Sequence, residues 1–309
     1  MRIVAAALAV VLLMTSDASA QCASRAPADG GVTIVFSGGG AKGAWEAGVA
    51  LALTEAGVPI AVAAGSSAGA LNATMLADGR MDRLEATWRA LSRDRVYTLR
   101  PGVAFAGLLP GWLAAMAVGR ADSLLDPAPL RTMLETSLDL ARVRASTVRL
   151  VVVATDLVRR EARVFDNATL TIDALMGAAA VPGLFPPVDV GGDRLVDGGI
   201  VGRAPVLEAL ARVPTPRALV LVSYATAERG RAPTSVRPAI EEAFETAMVH
   251  QIRRDAELAR LRHPGIDVQM LTPSEPLDLR PLDFEPDALG RALDRGRADG
   301  RACVKGSAP

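Results

Sequence analysis

The chain has 309 residues and a mass of 32.1 kDa, room for one large domain or two small ones. Its 34 Lys+Arg balance 34 Asp+Glu, and aromatic residues make up 4%; it lacks both the basic face that a nucleic-acid backbone needs and the stacking platforms that bases need. With half the residues apolar and 22% charged, it has the composition of a globular enzyme or binding domain.

The first twenty residues read as an export signal. Arg2 gives a positive start, Ile3 to Met14 is an almost unbroken apolar run, and Ala18-Ser19-Ala20 fits a small-residue cleavage site. The run is shorter than the ~20 apolar residues that span a bilayer. Cleavage after Ala20 is expected, with export to the periplasm or beyond. Gln21 stands where a lipid-anchored precursor wants a small residue before Cys22, so lipidation is not expected. Residues 21–31 form an N-terminal tail, and no later stretch reads as a transmembrane helix. Cys22 and Cys303 are the two cysteines; a disulfide between the chain ends and two free thiols are both compatible with this placement. No His/Cys spacing of the zinc type occurs.

From Val32 onward, short apolar runs alternate with helical stretches. Strands are predicted in VTIVFS, IAVAAGSS, VRLVVVATDLV, RLVDGG, RALVLVSY and IDVQMLT. Helices are predicted in GAWEAGVALALTEAG, AGALNATMLADG and MDRLEATWRALSR, and over 129–141, 172–180, 205–212, 238–262 and 284–301. This alternation predicts an α/β fold: a three-layer α/β/α domain over residues 32–302 with a mostly parallel central sheet. One segment breaks the alternation. Residues 101–120 are apolar and interrupted by Gly and Pro, and Phe105, Leu108, Leu109, Trp112, Leu113 and Met116 suit an acyl-chain pocket, a lid or plain core.

Two glycine-rich turns carry the chemistry. Gly65-Ser66-Ser67-Ala68-Gly69 lies between a predicted strand and a predicted helix, the setting in which G-x-S-x-G presents a nucleophilic serine, here Ser67. Gly38-Gly39-Gly40-Ala41-Lys42-Gly43 also joins a strand to a helix. It matches G-x-G-x-x-G literally, but the next strand ends without the acidic residue that a dinucleotide site requires. Gly43 after Lys42, where Ser or Thr would stand, excludes a P-loop. Bare backbone N–H groups remain, suited to an oxyanion hole beside Ser67. A base is then needed. His250 and His263 belong to one helix and its end, whereas Asp197 closes a strand at Gly198-Gly199. Taken alone, an Asp-Gly pair reads as a solvated turn rather than as a catalytic acid.

In combination, these motifs resemble the patatin-like phospholipase family. GGGAKG is similar to its oxyanion loop, GSSAG to its nucleophile elbow, DGG to its aspartate motif, and Ala178 to Val188 (AAAVPGLFPPV) to a further block. Asp156, in VVVATDL, also falls in a familiar stretch without an assigned role. The resemblance implies a Ser67–Asp197 dyad without histidine and an oxyanion hole at Gly38, Gly39 and Gly40. Lys42, Gly43, Gly65, Gly69, Gly198 and Gly199 would support the site. It further implies hydrolysis of lipid acyl esters, transient contact with a membrane surface, and no metal or cofactor. The chain departs from the family twice, with Lys42 where many members have Arg, and with Arg203-Ala204-Pro205 where many have Asn before Pro. A histidine-triad α/β-hydrolase using His250 or His263, and an inactive lipid-binding module, are the alternatives.

Overall fold

The computed structural model describes residues 30–106, 121–224 and 232–306. In chain order the elements are β1 (Val32–Phe36), α1 (Gly43–Glu55), β2 (Ile60–Gly65), α2 (Ala68–Asp78), α3 (Met81–Ala90), α4 (Arg93–Val96), β3 (Thr98–Leu99) and α5 (Pro101–Ala106). There follow β4 (Leu125–Asp126), α6 (Ala128–Ser137), α7 (Leu140–Ala145), β5 (Arg149–Asp156), β6 (Glu161–Phe165), α8 (Ile172–Ala178), β7 (Val188–Val190) and β8 (Asp193–Asp197). The last are α9 (Val206–Arg212), β9 (Arg217–Leu221), α10 (Val236–Arg262), β10 (Asp267–Leu271) and α11 (Pro286–Lys305).

The main sheet runs β10-β9-β1-β2-β5-β8-β7, with β6 also paired to β5. From β10 to β5 every pairing is parallel; β6, β8 and β7 join antiparallel. Strand side chains divide by the pleat. Ile34, Phe36, Val152 and Ala154 face α1, α2, α8 and α11, while Val35, Val62, Val151 and Val153 face α9 and α10. A sheet buried on both faces needs apolar residues at successive positions, which is how β1, β2 and β5 read. The fold is α/β with three layers and a mostly parallel sheet.

Helix α1 is buried from Gly43 to Leu53 because α11 covers its outer side. The two backbones meet at glycines: a Cβ on Gly48 would lie 2.0 Å from the Leu293 carbonyl oxygen, and one on Gly296 would lie 1.9 Å from that of Trp45. Trp45 Nε1–H donates to Asp299 Oδ2 at 2.8 Å across the same contact. This packing fixes the helix that follows the first glycine turn.

The structure adds elements the sequence did not predict, among them α4, α5 and the short strands β3 and β4, and it splits one that the sequence did predict. The helix expected over 129–141 is two helices, because Asp139 Oδ1 accepts from the N–H groups of Ala141 and Arg142 and starts α7 afresh. Strand β6 was not anticipated; Glu161–Phe165 is largely exposed and carries charges. Nor was β7, three residues long. β3 and β4 pair as a two-stranded antiparallel ribbon. Leu108, Leu109, Trp112, Leu113, Met116 and the Phe105 side chain lie outside the described residues, as do the expected signal (1–20), Cys22 and most of the tail. Cys303 is fully buried on α11. Among the described residues no helix is long and apolar enough to cross a membrane.

Candidate active site

Strands β1 and β2 are adjacent and parallel, pairing Phe36 with Gly65 at their ends, so both glycine turns leave the sheet at one place. The GSSAG turn is tight. A Cβ on Gly65 would lie 2.2 Å from the Gly69 carbonyl oxygen, so this approach requires glycine. Ser67 sits at φ 55°, ψ −135°, a backbone state that non-glycine residues rarely adopt and that lifts a side chain clear of its turn. It is the N-cap of α2, whose dipole favours negative charge there. Its neighbour Ser66 is buried and donates its hydroxyl to the Arg203 carbonyl at 2.6 Å.

Asp197 reaches the same place from β8. Along β5, Val152 pairs with Gly65 and also with Phe165 of β6, while Ala154 pairs with Asp197. From Val152 to Asp156 β6 holds one edge of β5; on the other edge β2 stops at Val152 and β8 takes over two residues later. Running antiparallel, β8 delivers Asp197 back towards the elbow. Gly198 must be glycine here, since a Cβ would lie 2.0 Å from the Val153 carbonyl oxygen. Thr155 Oγ1 donates to the Asp197 carbonyl at 2.8 Å, and Gly199 N–H donates to Asp197 Oδ1 at 2.7 Å.

The block from Ala178 to Val188 explains its own presence. The Ala178 carbonyl accepts from Ser67 N–H at 3.0 Å and the Ala180 carbonyl from Asp197 N–H at 2.9 Å. One short segment therefore sets both backbones. It is held in turn by Phe185 and Ala180, which pack with Leu125 of β4.

Asp197 is 4% exposed, and its Oδ2 has no hydrogen-bond partner among the described residues. Burial raises its pKa, opposed by the charge of Arg203, the nearby Ser67 hydroxyl and the Gly199 amide. The serine hydroxyl is thus close enough to act on the carboxyl, yet no bond of full geometry closes onto Oδ2.

The first glycine turn divides its donors. Gly38 N–H donates to both carboxyl oxygens of Glu46 at 3.1 Å, and Ser37 N–H and Oγ each donate to Oε1 at 2.8 Å. The Gly38 amide, expected in the oxyanion hole, is therefore committed to Glu46. The N–H groups of Gly39 and Gly40 have no acceptor among the described residues. Both glycines lie at positive φ, and a Cβ on Gly40 would sit 1.9 Å from the Pro281 carbonyl oxygen. Burial pushes the Glu46 pKa from 4.5 to about 8, against the pull of Ser37, Gly38 and Arg203. Glu46 escaped the sequence reading, although a lone acid in the apolar run GAWEAGVALAL is a visible signal.

The other residues singled out in the sequence lie partly beside the two turns and partly away from them. Gly43 begins α1 against Ala68 and Trp88, and its carbonyl accepts from Asn72 Nδ2. Lys42 is buried, with Nζ 3.7 Å from Glu245 Oε2 and 4.0 Å from the Tyr224 ring centroid, so it binds the loop to α10. Asp156 orders the β5–β6 turn, accepting from the N–H groups of Val158 and Arg159 and from the Arg159 guanidinium. His250 is exposed on α10 and His263 caps its C-terminal end; neither bonds to Ser67 or Asp197 among the described residues.

Residues 34–210 match the profile of the family described as patatin-like phospholipase. Uncharacterised NTE family proteins of Mycobacterium bovis and Mycobacterium tuberculosis are each 30% identical over 176 residues, 57% of this chain and 44% of theirs. The chain thus matches under half the length of these curated relatives. Among solved structures, VipD from Legionella pneumophila aligns with a TM-score of 0.49 at 16% identity, over 91% of this chain and 67% of that one. The family profile covers more than half of the chain, from β1 through both glycine turns and the aspartate motif into α9. The chain belongs to the patatin-like phospholipase family.

Proposed function

We propose that the chain is a serine hydrolase of lipid acyl esters, of the phospholipase A, lysophospholipase or esterase type, working through a Ser67–Asp197 dyad. The observation that carries this reading is the buried Asp197 carboxyl, with one oxygen lacking a partner among the described residues, beside a serine held in a strained elbow. Asp197 Oδ2 takes the Ser67 proton as Oγ attacks the acyl carbon, and later takes a proton from the water that clears the acyl-enzyme. Its raised pKa makes it a stronger base than an exposed carboxylate, provided it starts ionised. Gly39 and Gly40 offer N–H donors to the oxyanion, with the α2 N-terminus adding its dipole.

The substrate is a lipid ester met by transient contact with a membrane surface. No metal or cofactor takes part in these steps. Residues 1–20 direct export, and the mature chain begins at Gln21. The test is turnover of p-nitrophenyl esters and of phospholipid and lysophospholipid vesicles by purified protein, beside covalent labelling by a fluorophosphonate. Turnover with labelling at Ser67 supports the reading; labelling at another residue, or no turnover of any acyl ester, removes it.

A further inference from the structure

Arg203 occupies the position at which the sequence departs from its family, six residues after Asp197. It is 7% exposed, its Nε is buried without a partner, and its guanidinium forms no hydrogen bond or ion pair with any described residue. A buried cation left unpaired is costly, so a purely structural arginine would be expected to have acceptors. Its backbone is nevertheless anchored, since its carbonyl takes the Ser66 hydroxyl at 2.6 Å. Nη2 lies 3.2 Å from where a Cβ on Gly39 would stand, and Nη1 lies 3.2 Å from the corresponding point on Gly199. The fork therefore reaches from the loop with open amides to the turn that holds Asp197 Oδ1.

We propose that Arg203 is the fixed cation of this active site, balancing Asp197 in the resting enzyme and the substrate oxyanion in the tetrahedral intermediate. The inference rests on the serine–aspartate reading. A histidine base becomes an imidazolium as the oxyanion forms, so the new charges balance. A carboxylate base instead moves one negative charge. The Ser67 proton passes to Asp197 Oδ2, the Oγ–C bond forms, and the carbonyl π pair moves onto oxygen. On collapse that pair re-forms the carbonyl, the bond to the alkoxy oxygen breaks, and the Asp197 proton goes to the leaving oxygen. The charge starts beside Gly199 and passes to the side of Gly39 and Gly40.

A forked guanidinium reaching both places serves both states; a compact ammonium would serve one. The charge of Arg203 also acts on Glu46, the other buried carboxyl near it, which Ser37 and Gly38 already hold. Lys42, the cation of the glycine loop itself, is committed to Glu245 and Tyr224.

The test uses Arg203→Gln, Arg203→Lys and Arg203→Ala in the full chain. It reads kcat and KM against pH on a short-chain p-nitrophenyl ester, and follows the Asp197 carboxyl by carbon-13 NMR. Arg203→Gln is expected to lower kcat about 10²-fold, the scale of losing an oxyanion donor, with little change in KM. The acid limb of the profile and the Asp197 titration both move to higher pH. Arg203→Lys keeps both near their wild-type pH while kcat falls, and added guanidinium ion restores part of the Arg203→Ala rate. An unshifted limb and titration in Arg203→Gln, or a loss confined to KM, overturns the proposal. Should Arg203→Gln fail to fold, a displaced limb in Arg203→Lys or no rescue of Arg203→Ala does the same. If the wild type turns over no acyl ester, the hydrolase reading fails by itself, and the NMR titration still decides whether Arg203 governs Asp197.

Discussion

Gly65 and Asp197 pair with the same edge of β5, opposite Val152 and Ala154, two residues apart. The elbow begins where β2 leaves that edge, and β8 arrives from the opposite direction to fill it. Ser67 and Asp197, 130 positions apart in the chain, are thus brought together by a change from parallel to antiparallel pairing along one strand.

Ser67→Ala is expected to abolish ester turnover and fluorophosphonate labelling while leaving the melting temperature nearly unchanged. The backbone N–H that donates to Ala178 is retained, and the positive φ is borne by either residue. Kinetics beside thermal melts check this, and residual labelling in the variant would place the nucleophile elsewhere.

The two open amides are expected to respond differently to added bulk. In Gly39→Ala, at φ 114°, the new Cβ meets Ser223 Oγ at 3.0 Å and Arg203 Nη2 at 3.2 Å, side-chain atoms rather than backbone. In Gly40→Ala it meets the Pro281 backbone oxygen at 1.9 Å, so the loop itself must shift. Both should lose roughly 10²-fold in kcat, the scale of one oxyanion donor. Both should melt lower, since each puts a side chain at positive φ, with the larger drop in Gly40→Ala. Full activity in a folded Gly39→Ala protein would count against its amide as a donor.

Glu46 should make stability depend on pH. Its folded pKa of about 8 lies above the ordinary 4.5, so between these values the folded state holds a proton that the unfolded state has released. Stability therefore falls as pH rises through this window, by up to about 1.4 kcal/mol per unit. Glu46→Gln keeps an acceptor for Ser37 and removes the titration. Melts from pH 5 to pH 9 should show a steeper decline in the wild type than in the variant; parallel curves would refute the raised pKa.

The layered fold was legible because β1, β2 and β5 are continuous apolar runs closed by glycine, a pattern that suits strands covered on both faces. The turn at Gly65–Gly69 was legible from its spacing and setting. Strand β6 was not, since EARVF lies largely exposed on the sheet edge and owes its place to pairing with β5. The commitment of Gly38 to Glu46 was equally hidden. Nothing in GGGAKG tells which amides face a ligand, and that division depends on a side chain eight residues downstream. Arg203 was visible only as a departure in sequence; that its buried Nε has no partner among the described residues is a property of the folded site.

The proposed dyad has Asp197 as its sole base, and a comparison of Asp197→Asn with a His250→Ala/His263→Ala double variant decides between it and a histidine triad. The amide is close to the carboxylate in size and can still accept from Gly199 N–H, but it cannot take the serine proton. Neither histidine bonds to Ser67 or Asp197 among the described residues. Measured as kcat/KM on one ester, Asp197→Asn is expected to be as inactive as Ser67→Ala, with the double histidine variant within about two-fold of wild type. An active Asp197→Asn enzyme, or a double histidine variant that is folded and inactive, would contradict the dyad.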